Sequence, residues 1–172
     1  MDETRSAMGH GVKQRDRVRM SDAEVVAFLH EQRTMTMATH GQDAMIHLVA
    51  MWFGLLDGKV VLESKAKAQK VLNLRRNPSM SVLVEAGDTY DQLRGVQIAG
   101  QVEIIEDPAA MWPAGVAIFE KYNGGYSEER RAAVEMMLHK RVIVLLHPTR
   151  VSSWDHRKLG LDSKTAPPLR TN

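Results

Sequence analysis

The sequence predicts a mainly β domain of the α+β class, a small antiparallel barrel of six strands with helices at its periphery. Three observations predict it. Short runs rich in Val, Ile, Leu and Thr recur between closely spaced turn signals, helical patterns are few, and the strand–helix alternation of a doubly wound parallel sheet is missing. With 172 residues, 44% of them hydrophobic, the chain is long enough to bury one sizeable core.

Ser21-Asp22-Ala23-Glu24 is a capping box, and Val25, Val26, Phe28 and Leu29 give the following helix its apolar face as far as about Gln32. Residues 34–39 alternate polar and apolar, as a half-buried strand does. Gly41-Gln42-Asp43 makes a turn into residues 44–55, a long apolar strand expected to be bent or bulged. Asp57-Gly58 then closes a hairpin to a strand over residues 59–64. After a basic helix, residues 80–84 and 95–105 read as strands. Helices over 108–122 and 127–140, separated by Asn123-Gly124-Gly125, precede two last strands at 141–146 and 151–154.

The ends differ from this pattern. Residues 1–20 are polar, carry Arg5, Lys13, Arg15, Arg17 and Arg19, and lack apolar periodicity, so they read as a flexible basic arm. Residues 21–160 form the domain, and residues 161–172, with Ala166-Pro167-Pro168-Leu169, read as an extended tail. No apolar run approaches the 18 or more residues of a membrane span, and no apolar stretch follows the N-terminal charges as in a secretory signal. Cysteine is absent, which excludes disulfides, thiolate nucleophiles and cysteine-ligated metals. A cytoplasmic location is the simplest expectation. The net charge of +2 argues against non-specific nucleic-acid binding unless the cations gather on one face.

No nucleic-acid partner is expected, and the one notable group of cations is small. Lys65, Lys67 and Lys70 surround the start of the helix that follows the strand 59–64, with Gln69 among them. Early helical N–H groups are unsatisfied and carry partial positive charge, so lysines there are electrostatically misplaced for a helix alone. An anion resolves the conflict, as phosphates do at helix starts. Arg75 and Arg76, near the helix end before Pro78, fit a solvated basic face.

Of the histidines, His10, His30 and His40 read as surface residues, and His139, His147 and His156 show no ligand spacing, so no metal site is expected. His47 differs, because it interrupts an apolar strand beside the basic cluster. Met51 and Trp52 offer either packing or a flat wall for an aromatic ring. The chain has no dinucleotide fingerprint, phosphate-binding Walker loop, nucleophile elbow or zinc-protease motif.

Together, the runs beginning at His47, Asp57, Lys70 (KxxNLxxxP, Lys70 to Pro78), Ser81, Arg94 and Ser153 resemble the pyridoxamine-phosphate-oxidase-like split-barrel superfamily, and within it the actinobacterial reductases that use the deazaflavin coenzyme F420. The resemblance covers about residues 21–160. It implies a split barrel acting as a homodimer, with a cofactor in each of two interface clefts. Carried over by position, His47, Leu48, Val49, Ala50 and Met51 line the cofactor ring, largely through backbone groups. Ser64, Gln69 and Lys70 hold its phosphate with Lys65 close by, and Trp154 or Arg157 reaches in from the partner chain.

The resemblance also implies the reaction, hydride transfer from reduced F420 to an unsaturated small-molecule substrate, and no catalytic side chain is assigned. Oxidases of the superfamily that bind flavin mononucleotide (FMN) carry arginine where this chain has Gln69 and His47. Losing two planar phosphate binders disfavours FMN, and the dispersed lysines suit a longer anionic tail. The alternatives are a carrier of the deazaflavin without its own reaction, an FMN oxidase, and a haem-binding relative.

Overall fold

The computed structural model describes residues 14–160, so most of the N-terminal arm and the whole C-terminal tail lie outside the described residues. In chain order the elements are α1 (Gln14–Val18), α2 (Asp22–Glu31), β1 (Met35–His40), β2 (Ile46–Met51), β3 (Gly54–Leu56), β4 (Lys59–Lys65), α3 (Gln69–Arg76), β5 (Ser79–Ala86), β6 (Arg94–Ile105), α4 (Pro108–Asn123), α5 (Arg131–Leu138) and β7 (Arg141–Asp155). No helix among them is long and apolar enough to cross a membrane.

The strands form one sheet of seven, ordered β2-β1-β5-β6-β7-β4-β3, with antiparallel pairing throughout. The sheet has seven strands, not the six expected of the barrel; seven is also the number of strand segments read along the sequence. Residues 44–55 are not one bent strand but two, β2 and β3, interrupted at Trp52-Phe53. Conversely, the two strands expected at 141–146 and 151–154 are one, β7, paired along β6 with a register shift at Ala99/Gly100. The break has a large consequence. β2 and β3 are the two edges of the sheet, yet two residues join them. Laid flat, seven strands would hold those edges about 29 Å apart, whereas the link spans roughly 10 Å. The sheet must curl, and its edges meet without pairing.

The core fills the curl. Met35 and Met37 from β1, Val60 and Leu62 from β4, Met80, Val82 and Val84 from β5, Val96 and Ile98 from β6, and Val144 and Leu146 from β7 pack there with Phe53, Phe28, Leu29 and Leu74. A second cluster covers the opposite face of β4 and β7, where Val61 and Ile143 meet Met111, Ala114 and Ile118 of α4. β4 and the first half of β7 are consequently buried on both faces, whereas residues 148–151 of β7 are exposed. β1 and β5 instead alternate buried and accessible positions.

Local signals place the elements. Ser21 caps α2 reciprocally with Glu24, and Asp107 caps α4 by accepting from the Ala110 N–H at 2.8 Å. Asp57 (φ 50°) and Gly58 (φ 74°) form the two-residue turn between Leu56 and Lys59. The helix expected over 127–140 is shorter, with α5 preceded by a 3-10 turn at Glu128–Arg130. Residues 14–20 are also not free arm. Val18 and Met20 are buried, and the Met20 N–H donates to Ser153 Oγ at 3.2 Å. Two apolar anchors in a polar stretch are too few to show as periodicity.

At the break, Phe53 turns fully into the core, and its backbone groups lose their ladder partners. The Tyr122 hydroxyl replaces them. It accepts from the Phe53 N–H at 2.9 Å and faces the Phe53 carbonyl at 3.0 Å and the Arg33 carbonyl at 2.6 Å, donating to one at a time. Trp52 stacks on the Tyr122 ring at 4.3 Å. Lys121 lies 3.7 Å from the Phe53 ring centroid and donates to the Leu29 carbonyl at 2.5 Å; burial, with the charge of Arg33, pushes its pKa down to about 8.

At the end of β7, Asp155 is buried and bonded twofold by Arg157, with Nη2 to Oδ2 at 2.6 Å. The guanidinium holds the Asp155 carboxyl below the usual carboxylate range, against the opposing effect of burial.

Tyr122→Phe removes the hydroxyl that replaces the Phe53 ladder and is expected to cost about 1–3 kcal/mol, read by urea unfolding. Unchanged stability would show that another group satisfies Phe53. Asp155, with its pKa depressed on folding, contributes stability that is complete above the unfolded carboxylate value near 4 and is lost as pH falls through the folded value. Asp155→Asn should cost about 1–2 kcal/mol at pH 7, discounted for the exposed guanidinium. Its thermal midpoint should also fall less steeply below pH 4 than that of the parent protein.

Candidate functional site

A cavity of about 700 Å³ opens where three local structures meet: the β1–β2 turn, the start of β2 and the start of α3. The turn is held by the Gly41 N–H donating to the Met45 carbonyl at 2.8 Å and by Asp43 Oδ1 accepting from the Met45 N–H at 3.1 Å. Ala44 within it takes a left-handed φ of 63°. Ile46 and His47 form the strand side of the cavity, and Gln69 and Asn73 the helix side.

Of the residues expected at a cofactor site, the cavity brings together His47 and Gln69. His47 Nδ1 is buried and has no hydrogen-bond partner among the described residues. β2 pairs only with β1, so its backbone groups on the other side are free, as backbone contacts to a ring along residues 47–51 would require. Val49 and Met51 pack on the core, whereas Leu48 and Ala50 are exposed.

Ser64, Lys65 and Lys70 do not line this cavity. Ser64 is buried at the end of β4 opposite Val142, and Lys65 follows it opposite Arg141. Lys70 is half-buried one residue beyond Gln69. No carboxylate pairs with Lys65, Lys67 or Lys70 among the described residues. At the helix start, Ala68 offers no side-chain cap, and the amides of Gln69 and Lys70 have no acceptor among the described residues. The misplaced lysines are thus joined by open backbone donors.

Trp154 and Arg157 lie elsewhere in the same chain. Trp154 packs over Gly95 so closely that a Cβ there would lie 2.1 Å from the indole, and it lines a separate cavity of about 280 Å³ with Arg15 and Arg19. Arg157 is engaged by Asp155. A third cavity, of about 670 Å³, lies between α4, α5 and the start of β7 and holds none of the expected residues. No group of three His, Asp or Glu side chains among the described residues is arranged to hold a metal.

Sequence reasoning missed Asn73. It is fully buried, donates to Thr39 Oγ1 at 3.0 Å, and accepts through Oδ1 from Gln69 Nε2 at 2.8 Å and Arg76 Nη2 at 2.6 Å. The signal was present: asparagine is a poor residue for the middle of a short helix. Arg76 is exposed, as expected of both arginines, and it is also tied to Asn73. Arg75 fits that expectation, being exposed and paired with Glu106.

Comparison with known proteins agrees with this architecture. The chain is similar to the conserved hypothetical protein Rv2991 from Mycobacterium tuberculosis, with 47% identity over 94% of this chain and 98% of that one and a TM-score of 0.83. A protein described as an F420 reductase is 26% identical over 73% of this chain and 94% of its own, with a TM-score of 0.54. HutZ, the haem storage protein from Vibrio cholerae, shares the fold at 15% identity, over 77% of this chain and 94% of its own, with a TM-score of 0.60. No curated protein matches the chain. The family model of pyridoxamine 5′-phosphate oxidase matches residues 21–155, which hold the whole seven-stranded sheet, and the chain belongs to that family.

Proposed function

We propose that this chain is an F420-binding oxidoreductase that works as a homodimer. The observation that carries the reading is the cavity between β2 and α3. One wall is an edge strand with free backbone groups and a buried histidine nitrogen without a partner among the described residues; the other is formed by Gln69 and Asn73, next to an uncapped helix start whose three lysines no carboxylate among the described residues neutralises. Those donors fit a planar heterocycle carrying an anionic chain. Bound there in its reduced form, the deazaflavin supplies a hydride to an unsaturated small-molecule substrate.

The protein's part is placement. Residues 47–51 orient the ring through backbone groups, backed by Val49 and Met51, while Gln69, Lys70 and Lys65 hold the phosphate and Ser64 buttresses them from β4. The spread of lysines over residues 65–70 suits a longer anionic tail better than a single compact phosphate. The resemblance to the F420 reductase supports this cofactor over FMN, as does the lack of arginine at positions 47 and 69.

A second copy would complete the cleft. On the outer face of the sheet, register aligns Leu48, Ala38, Ser81 and Ala99 in one row and Ala50, Thr36, Leu83 and Gln97 in the next. Leu48 is 64% exposed and Ile46 53%. An open sheet face of small and apolar side chains is the kind of surface that a two-fold partner covers. Trp154, opposite Gly95 at the far side of that surface, would reach the partner's cleft from there, whereas Arg157 is engaged by Asp155.

Titration with F420 should quench the coenzyme's fluorescence at micromolar protein, with FMN binding more weakly; the opposite order would replace the deazaflavin by the flavin. Lys70→Ala should weaken coenzyme binding by about 1.5–3 kcal/mol. His47→Ala should keep most of that affinity and lose about a hundredfold in turnover, because it disturbs ring placement and not the phosphate. Sedimentation should give about twice the 19.3 kDa chain mass, and Leu48→Glu should give monomers. A monomeric parent protein would remove the interface cleft.

A further inference from the structure

Two adjacent arginines of α3 are held in opposite ways. Arg75 is neutralised by Glu106. Arg76 has no carboxylate partner among the described residues, and its Nη2 donates to Asn73 Oδ1. The same oxygen accepts from Gln69 Nε2, so the guanidinium stands beside the Gln69 amide. Positions 69, 73 and 76 recur at helical spacing and share one face, the face that meets the cavity through Gln69 and Asn73.

The arrangement is fixed rather than incidental. Asn73 is 0% exposed, and its amide nitrogen is committed to the buried Thr39, which leaves Oδ1 as the atom turned toward both donors. A guanidinium has five N–H donors, and Asn73 uses one. On the strand side of the same cavity, His47 Nδ1 is buried without a partner among the described residues. Arg76 is exposed and does not itself line the cavity, so water hydrates its charge; it stands next to Gln69, where an oxyanion held at the cavity's helix wall would give it a partner.

We infer that Arg76 is an anion-binding residue of the β2–α3 cavity, taking phosphate oxygens of the ligand, and that Asn73 is the positioning residue that aims it. The inference rests on the reading above that the cavity takes a phosphate-bearing cofactor. A neutral amide suits the role because it holds the guanidinium without cancelling its charge. A carboxylate at position 73 would hold it equally well and switch it off.

The test measures affinities of the full chain for F420 and for its phosphate-free deazaflavin riboside. Arg76→Ala should lower affinity for the coenzyme about tenfold or more and leave the riboside within about twofold. Arg75→Ala should change neither. Asn73→Asp keeps the shape and both accepted bonds, and Thr39 can donate to the new carboxylate. It should therefore keep the thermal midpoint yet weaken the coenzyme about as much as Arg76→Ala does. Unchanged coenzyme affinity in Arg76→Ala, an equal loss for the riboside, or an equal effect of Arg75→Ala would overturn the inference. If the parent protein binds no deazaflavin, the cofactor reading fails instead, and FMN against riboflavin, measured the same way, decides the role of Arg76. Failure to bind any of the four overturns both.

Discussion

The structure turns on the two residues between β2 and β3. A sheet whose first and last edges are joined by Trp52-Phe53 has no flat solution, and the curl, the enclosed core and the unpaired edge of β2 follow from that link. The link is possible because its backbone polar groups are satisfied from outside the sheet. Burying Phe53 strands an N–H and a carbonyl, and a buried unpaired amide costs on the order of 1–3 kcal/mol. The Tyr122 hydroxyl, at the end of α4, answers both. α4 is therefore more than a cover for β4 and β7. It closes the gap that the sheet cannot close by its own ladder, and Gly54 allows the approach, since a Cβ there would lie 2.9 Å from Ile118.

The same asymmetry locates the site. Where α4 covers the sheet, β4 and the first half of β7 are buried on both faces and carry no exposed apolar stripe. Where no helix covers it, β1, β5 and β6 bury one face and leave the other open. The free edge of β2 borders that open face, and α3 is tied to β1 by the buried bond from Asn73 to Thr39. One short helix thus sets its polar face against one free strand edge. The cavity is the space that remains between them.

Much of this was legible in the sequence, for reasons that can be named. The capping box at Ser21, the Asp57-Gly58 turn and the alternation in residues 34–39 are local rules, and the structure follows them. The break at residues 52–53 was not legible. It lies within a continuous apolar run, and the group that permits it is 69 positions away. Register across the bulge at Ala99/Gly100 decides that β7 is one strand, which its turn-like His147-Pro148-Thr149 hides. At the site, the strand and helix of the cavity were both readable, because lysines at a helix start conflict with the helix dipole. Asn73 was not readable as a hub, because its partners are supplied partly by another strand.

The arginines separate the parts of the molecule that hold it together from the part offered to a ligand. Arg94, Arg141 and Arg157 each clamp distant or terminal segments by pairing with a carboxylate: Glu31, Glu63 and Asp155. Charge there is spent on geometry and cancelled in the act, which suits a fixed contact and leaves no field for a substrate. At α3 the pattern changes. Arg76 is positioned by an amide, and the lysines before it by no acid at all among the described residues. Holding a cation by a neutral, fully buried side chain keeps both its position and its charge. Self-repulsion among such cations is a cost with no return in the fold, and the anion proposed for the site would offset it beside the uncapped helix start.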